Sequence, residues 1–294
     1  MTERQGLVRE RILTEEELEE IQQLATLCAE RDTIAVRLNW DIMRSRSGDV
    51  TNDFLYYERG ELVGYLSLYS FSRREAELSG IVHPDLRRQG LFRLLFQMAQ
   101  QECAQRGIEK LLLFFDRASA SGQAFARSLG AHLDHTEYKM ELHEEKRPAV
   151  PVLSEGFEIR PATVDDVTDV IQITAISFEM EEEELRSGMA SDLRSANRAT
   201  YLGILQGKVI GAISMVYVNG ASIYGFGVLP EYRGRGYGRQ MLAWTVDKAL
   251  TNGKRPVTLE VAPENEHALS LYHSCGFRET TTFDYYAVDV RSLS

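Results

Sequence analysis

The feature that most constrains this chain is an internal repeat. The stretch IVHPDLRRQGLF (Ile81 to Phe92) lies over GVLPEYRGRGYG (Gly227 to Gly238) at an offset of 146 positions, setting Pro84 on Pro230, Arg87 on Arg233 and Gly90 on Gly236. With no gap, the same offset carries LLLFFDRASASGQAFARSLGA (Leu111 to Ala131) onto VTLEVAPENEHALSLYHSCGF (Val257 to Phe277), with Gly130 on Gly276. Two copies of one fold are the simplest account. Between them, EEKRPAVPVLSEG (Glu144 to Gly156) carries charges, two prolines and a glycine with little amphipathic pattern, as a linker does. The sequence therefore divides into domains 1–148 and 149–294.

With 294 residues, 44% of them apolar, the chain has material for two proper cores. It contains no run of about 18 apolar residues, and its first residues are charged where a secretory signal has an apolar centre. A cytoplasmic enzyme without membrane attachment is expected. Cys28, Cys103 and Cys275 are scattered, so neither a disulfide framework nor a metal site is expected. A net charge of −11 argues against a nucleic-acid partner, which draws on clustered Lys and Arg in excess.

In the second copy, FEIRPA predicts a strand, and Thr163 with Asp166 three residues later predicts a capped helix start. Strands follow over Thr200 to Leu205 and Val209 to Val216, joined through the turn Gln206-Gly207-Lys208, and then over Ser222 to Val228. A helix from about Gly236 to Leu250 stops at Asn252-Gly253. The strand Val257 to Val261, a helix over His267 to Ser274 and a closing strand over Phe283 to Val290 complete an α/β order. At its centre, a strand ends at Pro230 and a glycine-rich turn feeds directly into a helix. Small residues let successive backbone N–H groups converge on an anion, and the donors and dipole at a helix start favour negative charge. A diphosphate suits that turn. No Gly-Lys-Ser/Thr follows it, and Arg239 stands where a dinucleotide fingerprint needs its third glycine.

Arg233, Gly236 and Gly238 match the Arg/Gln-x-x-Gly-x-Gly/Ala signature of the GNAT superfamily of N-acetyltransferases, which this chain resembles. LEVAPENEHALSLYHSCGF is similar to that family's second conserved block, with Asn265 in the loop, Tyr272 on the helix and Gly276-Phe277 at its end. The resemblance implies two tandem GNAT-like domains, each a mixed, splayed central sheet flanked by helices. It also implies acetyl-CoA as cosubstrate, lying in the splay between the fourth and fifth strands, with no metal. Backbone groups of Arg233, Gly234, Arg235, Gly236, Tyr237 and Gly238 would hold its pyrophosphate, those near Val228 would polarise the thioester carbonyl, and Asn265 would orient the cofactor or a water.

Acetyl transfer to an amine needs a neutral nucleophile, a polarised carbonyl and a proton for the departing thiolate. Tyr272 suits the general acid, with an unperturbed pKa of about 10. Glu260 alternates away from Leu259 and Val261 on its strand. Its spacing of 12 residues before Tyr272 resembles the ribosomal-protein alanine N-acetyltransferases, where a glutamate is the general base through water. A solvated strand residue is the equal alternative. His267 and His273 read as surface or packing residues. Glu181 to Glu184 read as a solvated helix or, alternatively, an acidic acceptor entrance. Phe178, Phe226 and Tyr285 are candidate lining residues.

The first copy keeps Arg87 and Gly90, but Phe92 stands for Gly238, Phe114 for Glu260, Ser119 for Asn265 and Ala126 for Tyr272. It reads as a degenerate domain that packs on the second, shapes its acceptor cleft or contributes to a homodimer. Arg73, Arg74, Arg87, Arg88 and Arg93 make its turn region basic, as a vestigial phosphate site would be. The tandem layout is similar to that of the mycothiol synthases, although no acceptor-specific motif is present. Two functions remain: an N-acetyltransferase acting on a primary amine of a small molecule or peptide, and a non-catalytic acyl-CoA sensor. Retention of Tyr272, Glu260 and Asn265 favours the enzyme.

Overall fold

The computed structural model describes residues 4–70 and 74–290. The chain runs β1 (Gly6–Glu10), α1 (Glu15–Asp32), α2 (Trp40–Arg44), β2 (Asp53–Glu58), β3 (Glu61–Tyr69), β4 (Glu75–Val82), α3 (Leu91–Arg106), β5 (Lys110–Asp116), α4 (Ala120–Ser128) and β6 (His132–Leu142). It continues through β7 (Phe157–Pro161), α5 (Val167–Phe178), α6 (Glu182–Asp192), β8 (Arg198–Leu205), β9 (Lys208–Val216), β10 (Ala221–Val228), α7 (Tyr237–Thr251), β11 (Val257–Val261), α8 (Glu266–Ser274) and β12 (Phe277–Asp289). The α/β class and the repeated element order match the sequence expectation.

Two compact units form, one of Met1–Thr136 with Thr281–Ser294 and one of Glu137–Thr280. Unit 1 orders its strands β1-β2-β3-β4-β5-β12, and unit 2 orders them β6-β11-β10-β9-β8-β7. Each unit is thus closed by a strand from the other half of the sequence. The later part of β12 lies antiparallel to β5, from Phe283 opposite Asp116 to Asp289 opposite Lys110. The later part of β6 pairs with β11, Lys139 standing opposite Glu260. In unit 1 the seam is locked by Asp284, whose carboxylate takes hydrogen bonds from Arg117 Nη2 at 2.6 Å, Arg117 Nε at 2.9 Å and Thr136 Oγ1 at 2.8 Å. Burial works against that charge, yet Arg117 and Thr136 hold the Asp284 carboxyl below its ordinary range. Alternating apolar residues make 283–290 a strand, as expected, but do not say which sheet edge it joins. Tyr285 is therefore corrected: it belongs to unit 1, stacked on Phe114 with centroids 5.3 Å apart.

Local signals act as the sequence predicts. Asp166 accepts the Thr163 N–H at 2.7 Å, and in the first half Glu17 accepts the Thr14 N–H at 2.8 Å, so each opening helix is boxed at its start. The β8–β9 turn is the two residues Gln206 and Gly207, both with left-handed φ (50° and 81°), which matches the twist of a tight hairpin. Apolar side chains cover both faces of each sheet. In unit 1, Ile81, Phe114 and Phe283 pack in one cluster with Leu18 and Ile21 of α1, while Leu78 and Leu113 pack in another with Leu95 and Phe96 of α3. In unit 2, Leu259 and Ile223 pack with Met241 of α7 and Tyr272 of α8, while Ala212 and Leu202 pack with Val170 and Ile173 of α5.

Candidate active site

The turn after β10 is built from backbone. A short 3₁₀ segment, Pro230–Tyr232, ends with Arg233, whose Nε donates to the Val228 carbonyl at 2.7 Å and ties the turn to the strand that precedes it. Gly236 stands at the N-cap of α7 with φ 84°, a conformation that costs glycine nothing, and no side chain caps the helix. Arg233 N donates to Pro230 O, and the next backbone donor in use is Gln240 N, bonded to Gly236 O. Among the described residues the six N–H groups from 234 to 239 therefore have no backbone acceptor. Six adjacent donors at the positive end of a helix dipole are an arrangement that favours an anion. The Tyr237 ring packs on Phe157 at 4.8 Å, so only its N–H faces the turn. Sequence reasoning missed Gln240, whose buried amide binds Ser154 N at 2.7 Å and Ser154 Oγ at 2.9 Å, fastening the inter-copy segment to the start of α7.

Beyond the turn the sheet opens. Parallel pairing of β10 with β11 runs from Ala221 opposite Val257 to Ile223 opposite Leu259 and stops there. On its other edge β10 slips register against β9 between Tyr224 and Gly227, with Gly225 at φ 55°. This bulge leaves residues 225–226 without ladder partners and re-aims the backbone at the opening. In unit 1, β4 pairs with β3 without a slip from Gly64 opposite Val82 to Tyr69 opposite Glu77. The extra residue in β10 also shifts its parallel register by one place relative to β4, where Ala76 rather than Glu75 lies opposite Leu111.

Tyr272 lies on α8, buried in the core cluster with Leu259 and Val261, its ring edge-on to Phe277. Burial, with a smaller contribution from Cys275, pushes its phenol up to about 12. Glu260 is half-buried and alternates to the other face of β11. The two residues thus belong to opposite faces of the sheet. Asn265 caps α8, its Oδ1 accepting Ala268 N at 3.1 Å, which leaves the amide NH₂ for another partner. His273 Nε2 lies 2.9 Å from Glu279 at the surface. Phe178 and Glu181 to Glu184 are exposed around the α5–α6 corner.

Unit 1 repeats this construction more fully than its sequence implies. Arg87 Nε donates to Val82 O at 3.1 Å, Gly90 caps α3 at φ 86°, and Ser119 caps α4 by accepting Gly122 N at 3.2 Å. The six N–H groups from 88 to 93 also have no backbone acceptor among the described residues. Of the expected basic cluster, Arg73 lies outside the described residues and Arg74 sits at the far end of β4, accepting Glu109 N, so Arg87, Arg88 and Arg93 are the arginines at the turn. The Phe92 substitution is compensated. A Cβ on Gly238 would stand 3.6 Å from Phe226 Cζ, whereas a Cβ on Gly80 would stand 2.8 Å from Phe92 Cε2. Gly80 and Phe92 align with Phe226 and Gly238 at the repeat offset, so each unit fills one slot with one phenyl ring supplied from opposite walls.

A splayed mixed sheet with an uncapped glycine turn at the mouth of the splay defines an acyltransferase fold. The chain belongs to the acetyltransferase (GNAT) family, whose model matches residues 15–131 and again 167–277. It is similar to the [ribosomal protein bS18]-alanine N-acetyltransferase of Salmonella typhimurium, 37% identical over 70 residues that cover 24% of this chain and 47% of that protein. The chain thus spans about half the length of that curated relative. Mycothiol acetyltransferase of Clavibacter michiganensis is 27% identical over 230 residues, covering 74% of this chain and 71% of that one. Among solved structures, a GCN5-related N-acetyltransferase from Sphaerobacter thermophilus has a TM-score of 0.79 at 19% identity, covering 97% and 96% of the two chains. A tandem GNAT protein from the clavulanic acid biosynthesis pathway gives 0.74 at 18%, covering 97% and 98%. These solved structures share the tandem fold. No helix among the described residues is long and apolar enough to cross a membrane.

Proposed function

We propose that the protein transfers the acetyl group of acetyl-CoA to a primary amine of a small molecule or peptide, and that unit 2 carries out the chemistry. The observation that carries this reading is the bulge in β10, which unit 1 lacks. It re-aims the strand so that backbone N–H groups near Val228 serve the place where a thioester carbonyl would develop negative charge, and a fixed donor of this kind is worth about 3–4 kcal/mol in acyl transfer. The N–H groups of Gly234, Arg235, Gly236, Tyr237 and Gly238 hold the diphosphate. Arg233 shapes the turn through its bond to Val228 O, and the Asn265 amide NH₂ orients the cofactor or a water. Acetyl-CoA supplies the activated acyl group.

Glu260 accepts a proton from the acceptor ammonium through water, leaving a neutral amine whose nitrogen forms the new bond to the acyl carbon. As the carbon–sulfur bond breaks, Tyr272 donates its phenolic proton to the departing thiolate, and the second proton that the nitrogen loses on becoming an amide returns to the phenolate through water. Because burial raises the phenol to about 12, Tyr272 stays protonated across the neutral range and is always available as the acid. The exposed Glu181 to Glu184 favour approach of a cationic amine. The relatives acting on a ribosomal protein and on aminoalkylphosphonate are consistent with an amine acceptor.

Thiol release measured across a panel of amines and N-terminal peptides tests the proposal. Turnover on at least one acceptor is expected, and Tyr272→Phe should lower kcat by about 10²-fold or more while leaving acetyl-CoA affinity within about twofold. Tight binding of acetyl-CoA with no turnover on any acceptor would instead support the sensor reading.

A further inference from the structure

The arm formed by α5 and α6 is fastened to β10 on both sides of the bulge. At one end, Ser177 in the last turn of α5 lies so close to the strand that a Cβ on Gly227 would stand 2.1 Å from its Oγ. At the other, Asp192 closes α6, and its Oδ2 accepts the Tyr224 hydroxyl at 3.1 Å and Arg198 Nη1 at 3.0 Å. The Arg198 guanidinium also lies 5.2 Å from the centre of the Tyr224 ring. Burial and the Asp192 charge push the Tyr224 phenol up to about 12, so it keeps the proton it gives to that bond across the neutral range. Tyr224 and Gly227 bracket residues 225–226, which have no ladder partners. Both ends of the arm are thus fixed at the bulge, and the corner at 178–184 lies between them.

That corner is exposed and carries two chemistries side by side. Ile176, Phe178 and Met180 present large apolar side chains to solvent within five residues, a concentration that marks an interaction surface rather than scattered exposure. Around them Glu179, Glu181, Glu182, Glu183 and Glu184 are exposed. Arg186 pairs with Glu182 at 3.5 Å and with Glu183 at 3.1 Å, as helix neighbours do. Five carboxylates against one guanidinium leave the corner at a net −4.

We propose, resting on unit 2 as the acetyltransferase, that this corner docks a polypeptide acceptor, holding the segment behind its free N-terminus, and that this segment carries basic residues and an apolar side chain. Charge complementarity chooses the occupant. Nucleic acid and anionic headgroups are repelled by the glutamates, and a polyamine would answer the carboxylates while leaving Ile176 and Phe178 bare. Length separates a polypeptide from a small amine. The 11 residues of α6 make roughly 16 Å of helix, so Glu182 stands nearly that far from the Asp192 clasp at Tyr224. A small amine at β10 does not span this distance, whereas about five extended residues do.

Thiol release from acetyl-CoA by the full chain tests the proposal on the hexapeptide amides Ala-Phe-Arg-Ala-Arg-Ala, Ala-Ala-Arg-Ala-Arg-Ala and Ala-Phe-Glu-Ala-Glu-Ala, and on spermidine and 2-phenylethylamine. Arginine adds charge without a second primary amine. At low ionic strength kcat/KM should be at least about tenfold higher for the basic phenylalanine peptide than for its acidic counterpart, and the ratio should shrink as salt is raised. It should also be about threefold or more above that of the basic peptide lacking phenylalanine. Glu181→Lys with Glu184→Lys should reverse the order of the basic and acidic peptides, and Phe178→Ser should abolish the preference for phenylalanine. All three side chains are exposed, so acetyl-CoA affinity by calorimetry and the melting curve should match the parent. Tyr224→Phe opens the α6 clasp and should shrink the charge preference. Equal rates on the basic and acidic peptides, an order unchanged by the two lysines, or faster turnover of spermidine or 2-phenylethylamine than of any peptide would overturn the proposal and leave unit 2 an acetyltransferase for other amines. Thiol release with no amine at all would instead refute the acetyltransferase reading, and the polypeptide acceptor with it.

Discussion

Exchanging a phenylalanine and a glycine across the slot between β10 and α7 should be tolerated far better than either change alone. Phe226→Gly removes a half-buried ring, at a cost of about 2–3 kcal/mol, with about 0.5–1 kcal/mol more for a glycine within a strand. Gly238→Phe by itself drives a second ring into occupied space, since a Cβ there already meets Phe226 Cζ at 3.6 Å. Such overpacking costs about 1–3 kcal/mol. In the double variant one ring fills the slot again, in the arrangement unit 1 uses with Gly80 and Phe92. It should lie within about 1–2 kcal/mol of the parent, a coupling energy near 3 kcal/mol, at the upper end for neighbouring residues. Urea unfolding followed by Trp244 fluorescence in a Trp40→Phe background reports on unit 2, because Trp244 sits on α7 with its ring 5.0 Å from Tyr201. Additive losses would show that the two rings do not share one slot and would remove the physical basis for treating Phe92 as compensated.

Other consequences can be tested in the same chain. Ser177 Oγ is buried without a hydrogen-bond partner, so Ser177→Ala should stabilise unit 2 by about 1 kcal/mol, whereas Gly227→Ala should destabilise it, because a Cβ there would stand 2.1 Å from that oxygen. The bidentate Arg160 pair, with the Thr163 N–H, holds the Asp166 carboxyl far below its ordinary range. Its folded value being depressed, this contribution is fully present above the unfolded pKa of about 4 and is lost as pH falls below it. The Trp244 urea midpoint should then fall less steeply between about pH 4 and 2 in Asp166→Asn than in the parent. Tyr272→Phe should lower kcat by the same factor from about pH 6 to 10, since an acid titrating near 12 adds no limb in that window; a change in profile shape would assign a visible ionisation to Tyr272.

Much of this protein was legible in the chain alone. The 146-residue offset carried the duplication, because backbone turns that need Pro84, Gly90, Pro230 and Gly236 leave marks in residue type. Caps at Thr163 and the hairpin at Gln206-Gly207 were equally local, each fixed by hydrogen bonds and φ within a few residues. What the sequence could not decide were the contacts whose partners lie far apart. Residues 283–289 read as a strand of the second copy, yet their pairing with β5 places Tyr285 in unit 1, since alternation fixes a strand's faces but not its neighbour. Phe92 read as a lost glycine until Gly80, twelve residues away, proved to make room for it. The bulge in β10 likewise arises from pairing between strands, and it is there that tertiary structure, not residue type, distinguished the two copies.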